Sequence, residues 1–278
     1  MGLNAVDAVL FKCAPNEPIW ISTDESSDVH IRQKRVINLR NERDGPLHIR
    51  GVPYVVQILK DNITVCAGTI LSAVYILTHR SCVLASQMGR YTVLSGTVTR
   101  YNGTIHTFRG KILVVPNPRL ALYEVLPRID FQQSLNRPID LFLGRVPDPA
   151  YGIFSGWGCT IPGPLDHDPV FPEELKQTRL FIIPLAECIR RYQGRAIISD
   201  RSICTLDETK RRGTCIDDVG GPLVLRLPPR YVHQLLGIMS EQRAEEFGID
   251  PDVFINLNRQ EIHHWIIHAI QNQNHPFN

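Results

Sequence analysis

None of the seven cysteines in this chain of 278 residues stands in a Cys-x-x-Cys pair. That excludes the zinc-ribbon and thioredoxin-type readings such a pair would support. A dominant charge sign is also missing. The 30 Lys plus Arg face 28 Asp plus Glu, a net charge of +2, so nothing in the charge argues for nucleic acid or an anionic membrane surface. Long apolar runs are absent as well. The longest uncharged stretch, Asn62 to Thr78, holds Asn62, Thr64, Gly68, Thr69, Ser72 and Thr78. It is too short and too polar for a spanning helix and reads better as two buried strands joined by a turn. The first residues, MGLNAVDAVLFKC, carry Asp7 in their middle and no basic lead-in. They make a poor signal peptide, and a secreted chain would be expected to have an incomplete N-terminus here.

What is present has ordinary globular texture, with 43% hydrophobic and 21% charged residues. The length suits one large domain or two small ones. An odd cysteine count leaves two readings: an oxidised extracellular framework with at least one sulfur unpaired, or a reduced chain.

Residues 1–35 are polar and end in the basic run Arg32, Gln33, Lys34, Arg35. Beyond them, short runs rich in Val, Ile, Leu, Tyr and Thr recur. They are Tyr54–Leu59, Thr64–Leu71, Tyr75–Thr78, Tyr91–Leu94, Lys111–Val115, Tyr151–Ser155, Leu180–Ile183, Pro222–Leu227 and Gln234–Met239. Many short strands between turn signals predict an all-β sandwich or barrel. One segment has helical period: in Arg259–Gln271, Ile262, Trp265, Ile266, Ala269 and Ile270 share a face. His264 and His268, opposite, have ligand spacing but no third ligand, so the solvated-face reading stands and no metal is expected. Asp166-His167-Asp168 and Lys210-Arg211-Arg212 read as solvated loops. Asn62-Ile63-Thr64 and Asn102-Gly103-Thr104 are sequons, so Asn62 and Asn102 would carry glycans if the chain is secreted.

Several segments together resemble trypsin-like serine proteases over roughly residues 36–271. Arg35-Val36-Ile37-Asn38 is similar to the family's activation site, where cleavage after a basic residue frees a small β-branched N-terminus. Cys66-Ala67-Gly68-Thr69-Ile70-Leu71-Ser72 with Ile76-Leu77-Thr78 and Cys82 resembles the hairpin carrying the catalytic histidine. Gly156-Trp157-Gly158 matches the family's Gly-Trp-Gly. Cys215 with Asp218 and Gly220-Gly221-Pro222 resembles the nucleophile loop. The resemblance implies two antiparallel six-stranded β-barrels, about 36–148 and 149–257, closed by a C-terminal helix at about 258–271. Residues 1–35 would be a pro-segment.

The family's chemistry needs a serine oxygen, an imidazole to take its proton and a carboxylate to orient the imidazole. At the three matching positions this chain has Ser81 for the histidine, Arg119 for the aspartate and Val219 for the serine. Asp217 replaces the glycine that supplies an oxyanion donor, and its charge is expected to oppose a developing oxyanion. A relocated Ser–His pair, His79 with Ser81 or Ser240, would need atoms within hydrogen-bond reach; the simpler reading makes His79 and Ser81 hairpin-end polar residues. The pocket positions are Gly213, Ser240, Glu241 and Gln242, and with Gly213 at the floor no carboxylate is expected to hold a basic side chain. Asp218 stands where the family's buried aspartate pairs with the freed N-terminus, here Val36.

The same resemblance implies disulfides Cys66–Cys82 and Cys188–Cys204. Cys215 lacks its usual downstream partner, and Cys159 is outside the usual set. Because the family fold brings their loops together, a Cys159–Cys215 bond is expected. Cys13 is left over, free, bonded to another chain, or paired with a cysteine missing from a truncated N-terminus. The expectation is a secreted, catalytically inactive protease homolog without cofactor. It would bind a protein partner: a protease, a protease substrate or an inhibitor. The competing classes are an active serine-type endopeptidase with a rearranged site, and a structural or storage protein.

Overall fold

The computed structural model describes residues 47–114, 119–159, 170–207, 213–215, 217–229, 231–240 and 250–271. Cys13, Arg35, Val36, Glu241, Gln242, Asp166-His167-Asp168 and Lys210-Arg211-Arg212 lie outside them.

The first half of the chain supplies β1 (Val55–Lys60), β2 (Ile63–Ile70), β3 (Tyr75–His79), β4 (Tyr91–Ser95), β5 (Thr104–Val114) and β6 (Leu120–Leu126). They close into an antiparallel barrel in the order β1-β2-β3-β6-β5-β4. The β1–β2 connection is a two-residue turn, Asp61 and Asn62, with φ of 50° and 65°. This left-handed pair matches the twist of a hairpin, and Asp and Asn tolerate it better than most residues.

The second half supplies β7 (Asp140–Leu141), β8 (Tyr151–Gly156), β9 (Lys176–Ile183), α1 (Leu185–Arg191), β10 (Ser202–Leu206), β11 (Pro222–Arg226), β12 (His233–Met239), β13 (Asp252–Asn256) and α2 (Gln260–Gln271). The order β11-β8-β9-β10-β13-β12 closes through β11–β12 pairing into a second six-stranded barrel, and β7 adds in parallel to β12. The segment connecting the barrels therefore joins the second sheet before residue 148.

Each barrel has its own apolar filling. Val56, Ile58, Ile76 and Val93 lie in the first, and Phe154, Leu223, Leu236 and Phe254 in the second. A third cluster belongs to both, joining Tyr54, Leu77 and Leu120 to Trp157, Leu235 and Ile255. In β1, buried along almost its whole length, Val56 and Ile58 fill the first barrel and Val55 joins the shared cluster. The helix α2 docks Ile262 and Ile266 onto the shared cluster. At about 25 cal/mol per Å² of apolar area, each such side chain contributes roughly 2 kcal/mol.

Candidate functional site at the barrel junction

The β2–β3 hairpin is stapled by Cys66–Cys82, Cα atoms 5.7 Å apart. Thr78 Oγ1 donates to the Ala67 carbonyl at 2.7 Å. At the hairpin's end the chain turns through a short 3₁₀ segment, Arg80–Cys82, capped by His79. His79 Nδ1 accepts from the Ser81 amide at 3.3 Å and lies 2.8 Å from Ser81 Oγ. Ser81 is exposed while His79 is buried. Arg119, also exposed, precedes β6, and its carbonyl accepts from Arg80 N at 2.7 Å.

Val219 comes to the same place from the second half of the chain. Its carbonyl accepts from Ala67 N at 2.9 Å and lies 3.6 Å from Cys82 Sγ. Its side chain is 7% exposed and packs into the first barrel's apolar cluster. The neighbouring Gly220 has φ +82°, and a Cβ there would fall 2.0 Å from Thr78 Oγ1, so only glycine fits. The fold thus gathers Ser81, Arg119 and Val219 at one junction.

Asp217 takes φ +72°, an uncommon conformation for a residue with a side chain. Its carboxylate is 3.5 Å from Nη1 of Arg100, in the β4–β5 loop, with the two side chains 10% and 6% exposed. Arg100 also donates to the carbonyls of Pro172, at 3.2 Å, and Trp157, and its guanidinium lies 4.9 Å from the Phe171 ring centroid. The charge expected to stand against an oxyanion is therefore matched by a buried cation from the other barrel. Nothing in the sequence near Asp217 signals Arg100, which is 117 residues away.

Asp218 is 1% exposed. Its Oδ1 accepts from Gly158 N at 2.8 Å and its Oδ2 from Cys215 N at 2.7 Å. The Gly-Trp-Gly sequence is explained by this carboxylate: a Cβ at Gly156 or Gly158 would fall about 2 Å from its oxygens. Burial pushes the Asp218 carboxyl up to about 7, against the pull of the two amides and helped by Asp217 and Asp252. No cation pairs with it among the described residues.

Gly213 and Ser240 are buried, and Ser240 Oγ donates to the Val253 carbonyl at 2.7 Å. That bond occupies its hydroxyl proton. Next to Gly213 the structure places a carboxylate, Asp252. Its Oδ1 accepts from Thr214 N at 3.1 Å and Thr214 Oγ1 at 2.7 Å, directly after Gly213. It is 4% exposed, and burial pushes it up to about 7, with Asp207 adding to the rise. Among the described residues it too has no cationic partner.

Cys159 and Cys215 form a disulfide with Cα atoms 5.4 Å apart, fastening the Gly-Trp-Gly segment to the nucleophile loop. Cys188–Cys204 ties α1 to β10, Cα atoms 6.1 Å apart. Asn62 and Asn102 are both exposed, one in the β1–β2 turn and one in the β4–β5 connection. No group of three His, Cys, Asp or Glu able to hold a metal occurs among the described residues.

Comparison with known proteins agrees with this architecture. The family model described as Trypsin matches residues 46–266. Serine protease SP24D of Anopheles gambiae is 28% identical over 196 residues, covering 67% of this chain and 65% of its own length. Ovochymase of Halocynthia roretzi is 22% identical over 217 residues, covering 70% of this chain but 13% of its own length. This chain thus spans under two thirds of either relative. Neuropsin, a serine protease expressed in the limbic system of mouse brain, superimposes with a TM-score of 0.66 at 21% identity, over 81% of this chain and 97% of its own. At that identity the likeness speaks to the fold alone.

Proposed function

This chain belongs to the trypsin family, and on that premise we propose that it is a secreted member that has given up peptide hydrolysis for protein binding. One observation carries the reading. At the nucleophile position stands Val219, a side chain with no reactive atom, packed into the first barrel's apolar interior. Losing the nucleophile alone costs such an enzyme about 10⁴-fold or more in rate, and the histidine and aspartate positions hold Ser81 and Arg119 as well. Three disulfides support an oxidising compartment and hence secretion.

Asp252 supports a partner that presents a basic side chain. A buried carboxylate without a cation is costly, and an incoming guanidinium or ammonium relieves that cost. Asp218 supports a switch of the same kind. Cleavage after Arg35 would free the Val36 ammonium to pair with it and order the surrounding loops without creating a protease.

The decisive experiment assays the Arg35-cleaved protein against a panel of fluorogenic peptides. No turnover above buffer is expected, and turnover at an enzymatic rate overturns the reading. A benzamidinium probe tests the basic-ligand preference: wild type binds it and Asp252→Asn does not. Equal binding by both removes Asp252 from the proposal.

A further inference from the structure

After β6 the chain runs along the surface of the first barrel before it joins the second sheet. From Asp130 to Pro138, Asn136 alone is buried. Its Nδ2 donates to Ser95 Oγ, at the end of β4, at 3.0 Å. Ser95 Oγ lies 2.8 Å from Nε2 of His106 on β5, and His106 Nδ1 lies 2.7 Å from the Pro127 carbonyl. A carbonyl only accepts, so Nδ1 carries the proton and Nε2 is bare. Ser95 therefore donates to Nε2 and accepts from Asn136. Ser95, His106 and Asn136 are each 1% exposed, so water does not take part. The hydrogen bonds all run one way, and the neutral imidazole sets their direction.

We propose that Ser95, His106 and Asn136 form an acid-operated latch, which holds the 130–138 segment on the first barrel while His106 is neutral and releases it on protonation. A proton on Nε2 turns that atom from acceptor into donor. Ser95 Oγ then faces N–H groups from both sides, and its own hydrogen loses its acceptor. Turning the Asn136 amide over gives Ser95 an acceptor again but still leaves a buried cation, which is costly without a partner. No carboxylate meets that cation among the described residues. Glu124 of β6 pairs with Arg109 at 2.8 Å, and Asp130 accepts from the amides of Gln132 and Gln133. Arg128 is exposed, and the Arg137 guanidinium is held by the carbonyls of Phe131, Ser134 and Asn136. Tyr91 of β4 faces Lys60, and Tyr123 of β6 donates to the Val83 carbonyl. Burial already holds the imidazole below its usual range, against the pull of the Pro127 carbonyl. The segment is the part that yields. Beyond Asn136, its ends are tied to the first barrel by main-chain bonds only, from Ile129 N to Ala73, Arg137 N to Pro53 and Ile139 N to Ile70. Exposed stretches with so few buried contacts open at a fraction of the global unfolding free energy. The inference does not rest on the binding role above.

The test is hydrogen exchange of the full chain at pH 7.4 and pH 5, read by mass spectrometry and corrected for intrinsic exchange rates, with β3 peptides as reference. In wild type, peptides spanning 129–139 are expected to lose protection below about pH 6.5, by up to about 10-fold per pH unit, while β3 keeps its own. His106→Gln removes the acid step. Asn136→Ala leaves the segment as open at pH 7.4 as wild type is at pH 5. Equal wild-type protection at both pH values, an acid loss shared by β3, or the same acid loss in His106→Gln overturns the proposal. Should His106→Gln fail to fold, an NMR titration of wild type decides. Nε2 protonation in step with the loss of protection supports the latch; protonation without that loss, or an Nε2 still bare at pH 5, overturns it.

Discussion

Asp218 makes the stability of the uncleaved chain fall as pH rises, the reverse of the usual behaviour of a folded-state carboxylate. Its carboxyl is raised from 3.8 to about 7, so between those values the folded state holds a proton that the unfolded state has lost. A group raised in this way contributes stability that is fully present below its unfolded value and is lost as pH climbs through about 7. At about 1.4 kcal/mol per pH unit the loss comes to roughly 4 kcal/mol. That is a large share of the 5–15 kcal/mol typical of a folded domain. Asp252, raised to the same level, acts in the same window with the same sign. Buried His106 and half-buried His233, held below the usual imidazole range by burial, act with the opposite sign below about pH 6.5, so the comparison must be between variants. Urea unfolding of the uncleaved protein and of Asp218→Asn from pH 5 to 8 isolates one carboxyl. Wild type is expected to lose about 1.4 kcal/mol more per pH unit than the variant, until about pH 7. The variant carries a constant offset of about 1 kcal/mol, because the amide serves only one of the two N–H donors. Cleavage after Arg35 should flatten wild type similarly and stabilise it at pH 8 by giving the carboxylate an ammonium. Parallel curves for wild type and Asp218→Asn would refute the reasoning.

Other perturbations probe the rest of the site. Arg100→Met should destabilise by about 3–5 kcal/mol by removing the buried cation beside Asp217, with Asp217→Asn recovering part of the loss; calorimetry of both variants checks the coupling. Replacing Cys159 and Cys215 together with serine should cost about 4 kcal/mol on chain-entropy grounds for a separation of 56 residues, read by urea unfolding. Val219→Ser should lower stability by about 1–3 kcal/mol through an unsatisfied buried hydroxyl, and fluorogenic peptides should still show no turnover.

The strands of both barrels were legible wherever apolar runs stood between turn residues, as at Tyr75–His79 and Tyr91–Ser95. β6 escaped because Glu124 interrupts its apolar run, and α1 because seven residues with one buried side chain, Cys188, show no period. The positions Ser81, Arg119 and Val219, expected at the triad, could be read because motif order locates them. Arg100 and Asp252 could not, since each matters through a contact that only the closed barrels create. The His79–Ser81 pair lay between: the residues were visible, but the 2.8 Å that gives them meaning depends on how the turn closes.

The apolar cluster that Tyr54 and Leu120 share with Trp157, Leu235 and Ile266 makes the two barrels interdependent products of one chain. Cut between β6 and β7, neither fragment would own a finished surface, and each would present the other with a greasy, shape-matched face. Such halves, produced separately and mixed, would be drawn to reassemble. The junction where the family performs its chemistry would then report that reunion, since Ser81 and Arg119 reside on one fragment and Val219 on the other.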